Sequence, residues 1–249
     1  MYQLNKKVAL VTGGSRGIGA AIAKRLAKEG ASVAITYTSS PEKAEVVVKE
    51  MKNLGVKAAS FQADQSDPKQ IEIMVNAVVK QFGHLDILVN NAGILATGTI
   101  DDPKRDANAM KKLMEINVQG VAHTVRAAVK HLKEGARIIT IGSAVGERMP
   151  FSGMADYTAT KAALIGYTKG WARDLGPKNI TVNLVEPGPI ETDMTKTEGG
   201  LSADELTSAL AIPRFGKPEE IAAVVAFLAS NESSYMTGSL VTVDGGFSV

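Results

Sequence analysis

A chain of 249 residues with 28 basic and 26 acidic side chains has no charge imbalance that would favour nucleic acid or an anionic membrane surface. It contains no cysteine, which removes disulfides, thiolate nucleophiles and cysteine-based metal sites together. No apolar run approaches the ~18 residues of a membrane span, and a strand-like run begins close to Met1, so the sequence predicts a cytoplasmic protein without a cleavable leader.

In chain order, short β-branched apolar runs alternate with longer amphipathic stretches. Val8–Thr12 reads as a buried strand before a helix at Ala20–Lys28, and Ser32–Tyr37 as a strand before a helix at Pro41–Leu54. Ala58–Gln62 precedes a helical pattern at Pro68–Phe82, and Ile87–Asn90 precedes helical sequence containing Leu113–Ile116 and, further on, His123 and His131. Arg137–Ile141 leads to Asp156–Leu175, Thr181–Glu186 to Pro218–Ala229, and Leu240–Val243 closes the series. Strand, helix, strand repeated in this way predicts a doubly wound α/β domain: a seven-stranded parallel sheet flanked by helices. No linker, low-complexity tract or repeat divides the chain, so residues 1–249 read as one domain. The least regular stretch, Pro187–Pro213, follows a strand end, where open α/β sheets bind ligands; it reads as a lid over a substrate or as a surface loop.

Directly after the first strand stands Thr12-Gly13-Gly14-Ser15-Arg16-Gly17-Ile18-Gly19, followed by a helix. Glycines let the backbone turn tightly and approach a phosphate, and the helix N-terminus offers unpaired N–H groups. A glycine-rich turn can also serve packing alone. An NAD site usually carries an acid at the end of the second strand for the ribose 2′-hydroxyl. Here that end reads Tyr37-Thr38-Ser39-Ser40, and the first acid, Glu42, comes after Pro41. Hydroxyls can donate to a 2′-phosphate, and Arg16 can supply positive charge, so the pattern favours NADP(H) over NAD(H) unless Arg16 is merely solvated.

Tyr157 and Lys161 are four apart in a helical segment and share its face. Tyr2 and Lys6 have the same spacing but run straight into a strand, without partners. What distinguishes Tyr157 is Ser143, fourteen residues upstream and just past a strand end. The histidines show no metal-ligand spacing, and no Gly-x-Ser-x-Gly elbow is present, so metalloenzyme and hydrolase readings fall away.

Thr12–Gly19, Asn90-Asn91-Ala92-Gly93, Asn117, Ser143, Tyr157-x-x-x-Lys161, Pro187-Gly188 and Val243-Asp-Gly-Gly246 occur in the order seen in short-chain dehydrogenases/reductases. The chain resembles that family over essentially its whole length, and within it is most similar to the 3-oxoacyl-(acyl-carrier-protein) reductase branch. The resemblance implies a single-domain Rossmann fold and an NADP(H)-dependent carbonyl reductase. Tyr157 would be the general acid, its phenol, ordinarily near pKa ~10, lowered by the Lys161 ammonium and by oxidised nicotinamide. Lys161 would also hold the nicotinamide ribose, Ser143 would donate to the substrate oxygen, and Asn117 would anchor a water leading to Lys161. For the cofactor, Gly13, Ser15, Arg16, Gly17, Ile18 and Gly19 would form the phosphate loop, and Tyr37, Thr38 and Ser39 would meet the 2′-phosphate. Asp64, with Gln65 beside it, would bond the adenine, Asn91, Ala92 and Gly93 would line the adenosine side, Tyr157, Pro187 and Gly188 would also contact the cofactor, and Ile190 and Thr192 beyond them would touch the carboxamide. By local sequence alone Asp64 reads as a helix cap and Asn117 as a helix end.

The implied substrate is a small-molecule ketone or a 3-oxoacyl thioester, with acyl carrier protein as a possible partner. Docking that acidic partner calls for arginines at the site entrance, whereas the corresponding stretches read Leu132-Lys133-Glu134-Gly135 and Pro177-Lys178-Asn179. Met149, Phe151, Met154 and Met194 suggest an apolar substrate wall, or core filler. A homotetramer is implied, built on Gly166–Leu175 and Thr237–Val249. Two alternatives are weighed: an NAD(P)-dependent alcohol or sugar dehydrogenase, which the missing acid opposes, and a weakly catalytic nucleotide-binding regulatory protein, which loss of Tyr157 or Lys161 would have favoured.

Overall fold

The computed structural model describes residues 3–197, 207–208 and 210–249. Tyr2, and residues 198–206 and 209 of the irregular Pro187–Pro213 stretch, lie outside the described residues. Strands β1 (Val8–Val11), β2 (Ser32–Tyr37), β3 (Ala58–Gln62), β4 (Leu85–Asn90), β5 (Leu132–Ile141), β6 (Thr181–Pro187) and β7 (Leu240–Val243) form one sheet. Their order is β3-β2-β1-β4-β5-β6-β7, and every neighbouring pair is parallel, as the alternation of runs predicts.

Helices α1 (Gly17–Lys28), α2 (Pro41–Asn53), α3 (Pro68–Phe82), α4 (Ala107–Met114), α5 (Val121–Val129), α6 (Ala155–Leu175), α7 (Asp193–Thr197) and α8 (Pro218–Ala229) connect and cover them. Because side chains alternate across a strand, each run feeds two cores. Ala9, Val11, Val33 and Ile35 pack with Ile22, Met51 and Val225 of α1, α2 and α8. Val8, Leu10, Ala34 and Ile138 pack on the opposite face with Ile71, Val75 and Val125 of α3 and α5. Both faces of the central strands are covered, which is why those strands read as continuous apolar runs rather than alternating ones.

Local chemistry sets the element ends. Asp67 caps α3 by accepting from the Lys69 and Gln70 amides, Pro68 starts its first turn, and Gly83 at φ 90° ends it. The cap is therefore Asp67, not Asp64. Strand β5 begins earlier than its apolar core suggests, because Leu132 already pairs with Leu85 before the register shifts to Ile87↔Arg137. Helix α5 stops at Val129, so His131 lies in the turn beyond it, half-buried, with Nε2 3.0 Å from Asn76 Oδ1. From β1 the chain winds outward to β3 and then returns to β4 on the other side of β1, which opens a crevice beyond the carboxyl ends of β1 and β4.

Candidate active site

That crevice holds a cleft of about 510 Å³, within the range of small-molecule and cofactor sites. Of the residues singled out from the sequence, Gly13, Ser15, Arg16, Gly17, Ile18, Gly19, Tyr37, Thr38 and Ser39 line it. So do Asp64, Gln65, Asn91, Ala92, Gly93, Ser143, Tyr157, Lys161, Pro187, Gly188, Ile190 and Thr192. Asn117 is the exception and lies one layer behind the wall.

The glycine loop is shaped by backbone geometry and a polar strut. Gly13 and Gly17 adopt φ of 63° and 54°, a region that costs a side chain strain. Thr12, which opens the glycine motif but has no role of its own assigned from the sequence, is the hub: its Oγ1 accepts from the Asn91 and Ala92 amides, both at 3.0 Å. Asn91 Nδ2 returns bonds to the Thr12 and Gly13 carbonyls at 2.9 and 3.1 Å, so its amide nitrogen braces the loop. The backbone crowds closely here. A Cβ on Gly19 would sit 2.4 Å from both Asn91 Nδ2 and Gly13 O. Gly19→Ala is expected to displace the loop and weaken NADPH binding at least about tenfold, with ~1–3 kcal/mol of overpacking cost to the fold, measured by NADPH fluorescence titration and urea unfolding.

At the β2 end, Tyr37, Thr38, Ser39 and Ser40 face the cleft, and Arg16 Nη1 stands 3.4 Å from Asp193 Oδ2. Asp64 Oδ1 accepts from the Ser66 hydroxyl and amide at 2.7 and 2.8 Å, and these bonds hold its carboxyl below the usual range. Gln65 is buried and donates to Thr124 Oγ1 at 2.9 Å, which commits its side-chain N–H to the protein. The close glycine backbone, the hydroxyl-rich rim and the nearby guanidinium fit a phosphorylated dinucleotide.

At the other end, β5 leads through Gly142 to Ser143, whose Oγ reaches the Pro187 carbonyl at 3.4 Å. Tyr157 and Lys161 share the inward face of α6. Lys161 Nζ donates to the Ile141 carbonyl at 3.2 Å and lies 5.6 Å from the Tyr157 ring centroid. Burial drives Lys161 down to about 8 and Tyr157 up to about 12, the latter partly offset by the Ser143 hydroxyl. In the chain by itself burial raises the Tyr157 phenol, and the Ser143 hydroxyl is the partial offset; the expected lowering is for the Lys161 ammonium acting together with oxidised nicotinamide.

Asn117 sits in a π-helical turn, Glu115–Gly120, between α4 and α5. Its Oδ1 accepts from the Ile94 amide at 2.9 Å, and Nδ2 donates to the Ile94 carbonyl at 2.9 Å and to Thr160 Oγ1 at 3.3 Å. The side chain clasps the strand-end loop after β4. It therefore positions Gly93 and Ile94 rather than presenting its amide to the cleft.

Met149, Phe151, Met154 and Met194 line the same cleft as Ser143 and Tyr157, so they are not core filler. Phe247 joins them, 6.0 Å from Phe151 between ring centroids; the sequence signal was an aromatic just after Val243-Asp-Gly-Gly246. Lys133, Glu134 and Lys178 do not flank the entrance. They precede or open β5 and β6 at the amino edge of the sheet, where Asn179 Nδ2 bonds Glu134 Oε1 at 2.7 Å, while the cleft is at the carboxyl edge.

A family model described as Enoyl-(Acyl carrier protein) reductase matches residues 13–248. The chain is 43% identical to the cyclic-di-GMP-binding biofilm dispersal mediator protein of Escherichia coli (strain K12), over 97% of each. It is 42% identical to 3-oxoacyl-[acyl-carrier-protein] reductase FabG of Staphylococcus aureus, over 96% of this chain and 97% of that one. A short chain dehydrogenase from Burkholderia cenocepacia J2315, solved in complex with NADP, superposes with a TM-score of 0.95 at 48% identity, covering 99% of this chain and 100% of that one. The sheet order, the glycine loop, the Ser143–Tyr157–Lys161 grouping and full-length similarity agree: the chain belongs to the short-chain dehydrogenase/reductase family of oxidoreductases.

Proposed function

We propose that the chain is an NADPH-dependent carbonyl reductase that converts a ketone or 3-oxoacyl thioester to the secondary alcohol. The observation that carries this reading is the convergence of Ser143, Tyr157 and Lys161 on one end of a cleft whose other end is the glycine loop. Residues 1–249 act as one catalytic domain in this reading. Gly13–Gly19, Tyr37–Ser39, Asp64 and Arg16 hold the cofactor's adenosine and phosphates, and Ile190, Thr192 and Lys161 its nicotinamide half. NADPH, when bound, supplies the hydride. Ser143 donates a hydrogen bond to the carbonyl oxygen, where negative charge develops as the π pair moves onto it. Tyr157 transfers its O–H proton to that oxygen, completing the alcohol. Lys161, with a pKa of about 8, returns a proton to the phenolate oxygen.

Support for NADPH over NADH comes from Arg16 and the hydroxyl rim, and from the NADP complex of the Burkholderia cenocepacia relative. The apolar wall of Met149, Phe151, Met154 and Phe247 favours a hydrophobic carbonyl substrate. Acyl carrier protein as the donor of that substrate draws on the 42% identical FabG alone, since the stretches with lysine in place of the expected arginines lie at the far edge of the sheet.

The test is NADPH and NADH oxidation with an acetoacetyl thioester, an acetoacetate ester, a diketone and an aromatic ketone. NADPH turnover with at least one of them supports the reductase. NADPH binding without turnover would favour the second reading, a nucleotide-binding regulatory protein, for which the observation is the 43% identical Escherichia coli relative named for cyclic-di-GMP binding.

A homotetramer built on Gly166–Leu175 and Thr237–Val249 belongs to the same proposal. Gly166 and Gly170 on α6 have nothing within 4 Å of where a Cβ would stand, which leaves room for close helix approach. Light scattering at micromolar concentration is expected to give four times the chain mass; a monomer would sink the assignment.

A further inference from the structure

Two cations from separate elements converge on one carboxylate oxygen beside the glycine loop. Arg16, immediately before α1, places Nη1 3.4 Å from Asp193 Oδ2. Lys43, in the first turn of α2, places Nζ 3.7 Å from that same oxygen. Asp193 opens α7, and its neighbour Thr192 approaches the glycine loop, with Cγ2 3.5 Å from where a Gly17 Cβ would stand. Ser39 and Ser40, which precede Lys43 in the chain, line the cleft, and Ser40 makes no side-chain capping bond to α2. All three charged groups are more than half exposed, at 57–58%.

Ion pairs this exposed contribute little to a fold, so they are poor structural fasteners. Both contacts are also longer than the ~2.7–2.9 Å of a well-formed charge-assisted bond. The arrangement is a pair of cations held loosely by a single negative charge. A phosphate monoester brings up to two charges and three acceptor oxygens, and can engage a guanidinium and an ammonium together. A ribose hydroxyl carries no charge and cannot draw either cation from a carboxylate.

Resting on the reading of this cleft as an NADPH site, we propose that Lys43 acts with Arg16 as a second cation for the cofactor's 2′-phosphate. Asp193 is the internal competitor that holds both cations until that phosphate takes them. Lys43 then determines specificity although it stands beyond the strand-end position from which cofactor preference is read. Asp193 sets how much of the two cations' charge the phosphate must win.

Dissociation constants for NADPH and NADH, by fluorescence titration of wild type, Lys43→Ala and Asp193→Asn, test this without relying on turnover. Lys43→Ala is expected to weaken NADPH about fivefold, the effect of losing ~1 kcal/mol of charge-assisted contact, and to leave NADH within about twofold. Asp193→Asn is expected to tighten NADPH about threefold with NADH unchanged. The 2′,5′-ADP fragment should follow NADPH, and 5′-ADP should follow NADH. Wild type that does not prefer NADPH overturns the cofactor reading itself. Wild type that prefers NADPH, with the preference undiminished in Lys43→Ala, overturns the role of Lys43. Weaker NADPH binding by Asp193→Asn overturns the competitor.

Discussion

Tyr157→Phe is expected to lower NADPH-dependent turnover about 10²–10⁴-fold while NADPH binds within about twofold of wild type. The change removes one oxygen and keeps the ring, so the packing around α6 and the contact between that ring and Lys161 Nζ, 5.6 Å from its centroid, are retained. What disappears is the proton donor. Ser143 still polarises the substrate oxygen but has no base behind it to replace a lost proton. The pH profile of the wild type adds a second readout. Burial places Tyr157 at about 12, so its proton is present throughout the working range, whereas Lys161 sits at about 8. Reduction should therefore fall as pH rises through 8, when the ammonium that restores the phenol is lost. A Tyr157→Phe enzyme with near-normal turnover would remove Tyr157 from the chemistry.

Glu186→Gln is expected to abolish a pH-dependent loss of stability worth about 3 kcal/mol. Glu186 is 1% exposed at the end of β6, and neither carboxyl oxygen makes a well-formed hydrogen bond. Burial pushes its carboxyl up to about 7 from 4.5; Glu147 and Asp244 add repulsion, and Thr242, opposite it on β7, and Lys169 give partial relief. The folded state thus keeps a proton that the unfolded chain releases near pH 4.5. Its contribution is fully present below 4.5 and is lost as pH rises through 7. The carboxyls held low by hydrogen bonds, Asp64, Asp67 and Asp244, act in the opposite sense but are common to both proteins, so they cancel in the comparison. Urea midpoints at pH 5 and pH 8 check it. Parallel pH dependence in wild type and Glu186→Gln would mean that Glu186 does not titrate in this range.

Particular residues show where sequence reasoning reached and where it stopped. The Tyr157–Lys161 spacing, the Thr12–Gly19 loop and the polar end of β2 were readable because each is a local pattern whose geometry follows from helix period or turn chemistry. Asn117 was named, but the partner of its amide, Ile94, lies 23 residues away across a loop, and no local signal says that the side chain is spent there. Glu186 sits in the apolar run Thr-Val-Asn-Leu-Val-Glu-Pro, and a doubly covered strand offers no alternation from which to read that its carboxyl is sealed from water. Arg16 and Asp193 are 177 residues apart.

By itself, then, the sequence determined the parallel doubly wound sheet, the position of the glycine loop and the three side chains, Ser143, Tyr157 and Lys161, that meet in the cleft. Those follow from hydrophobic period, backbone permissiveness and residue chemistry, all of which act over a few neighbouring positions. The tertiary structure alone decided the remainder. It turned Asn91 and Asn117 into braces, brought Phe247 to the cleft wall beside Phe151, put Lys133 and Lys178 on the far edge, and set Lys43 beside Asp193. Each depends on which strand ends and loops meet across the crevice, a long-range outcome of packing on which local sequence is silent.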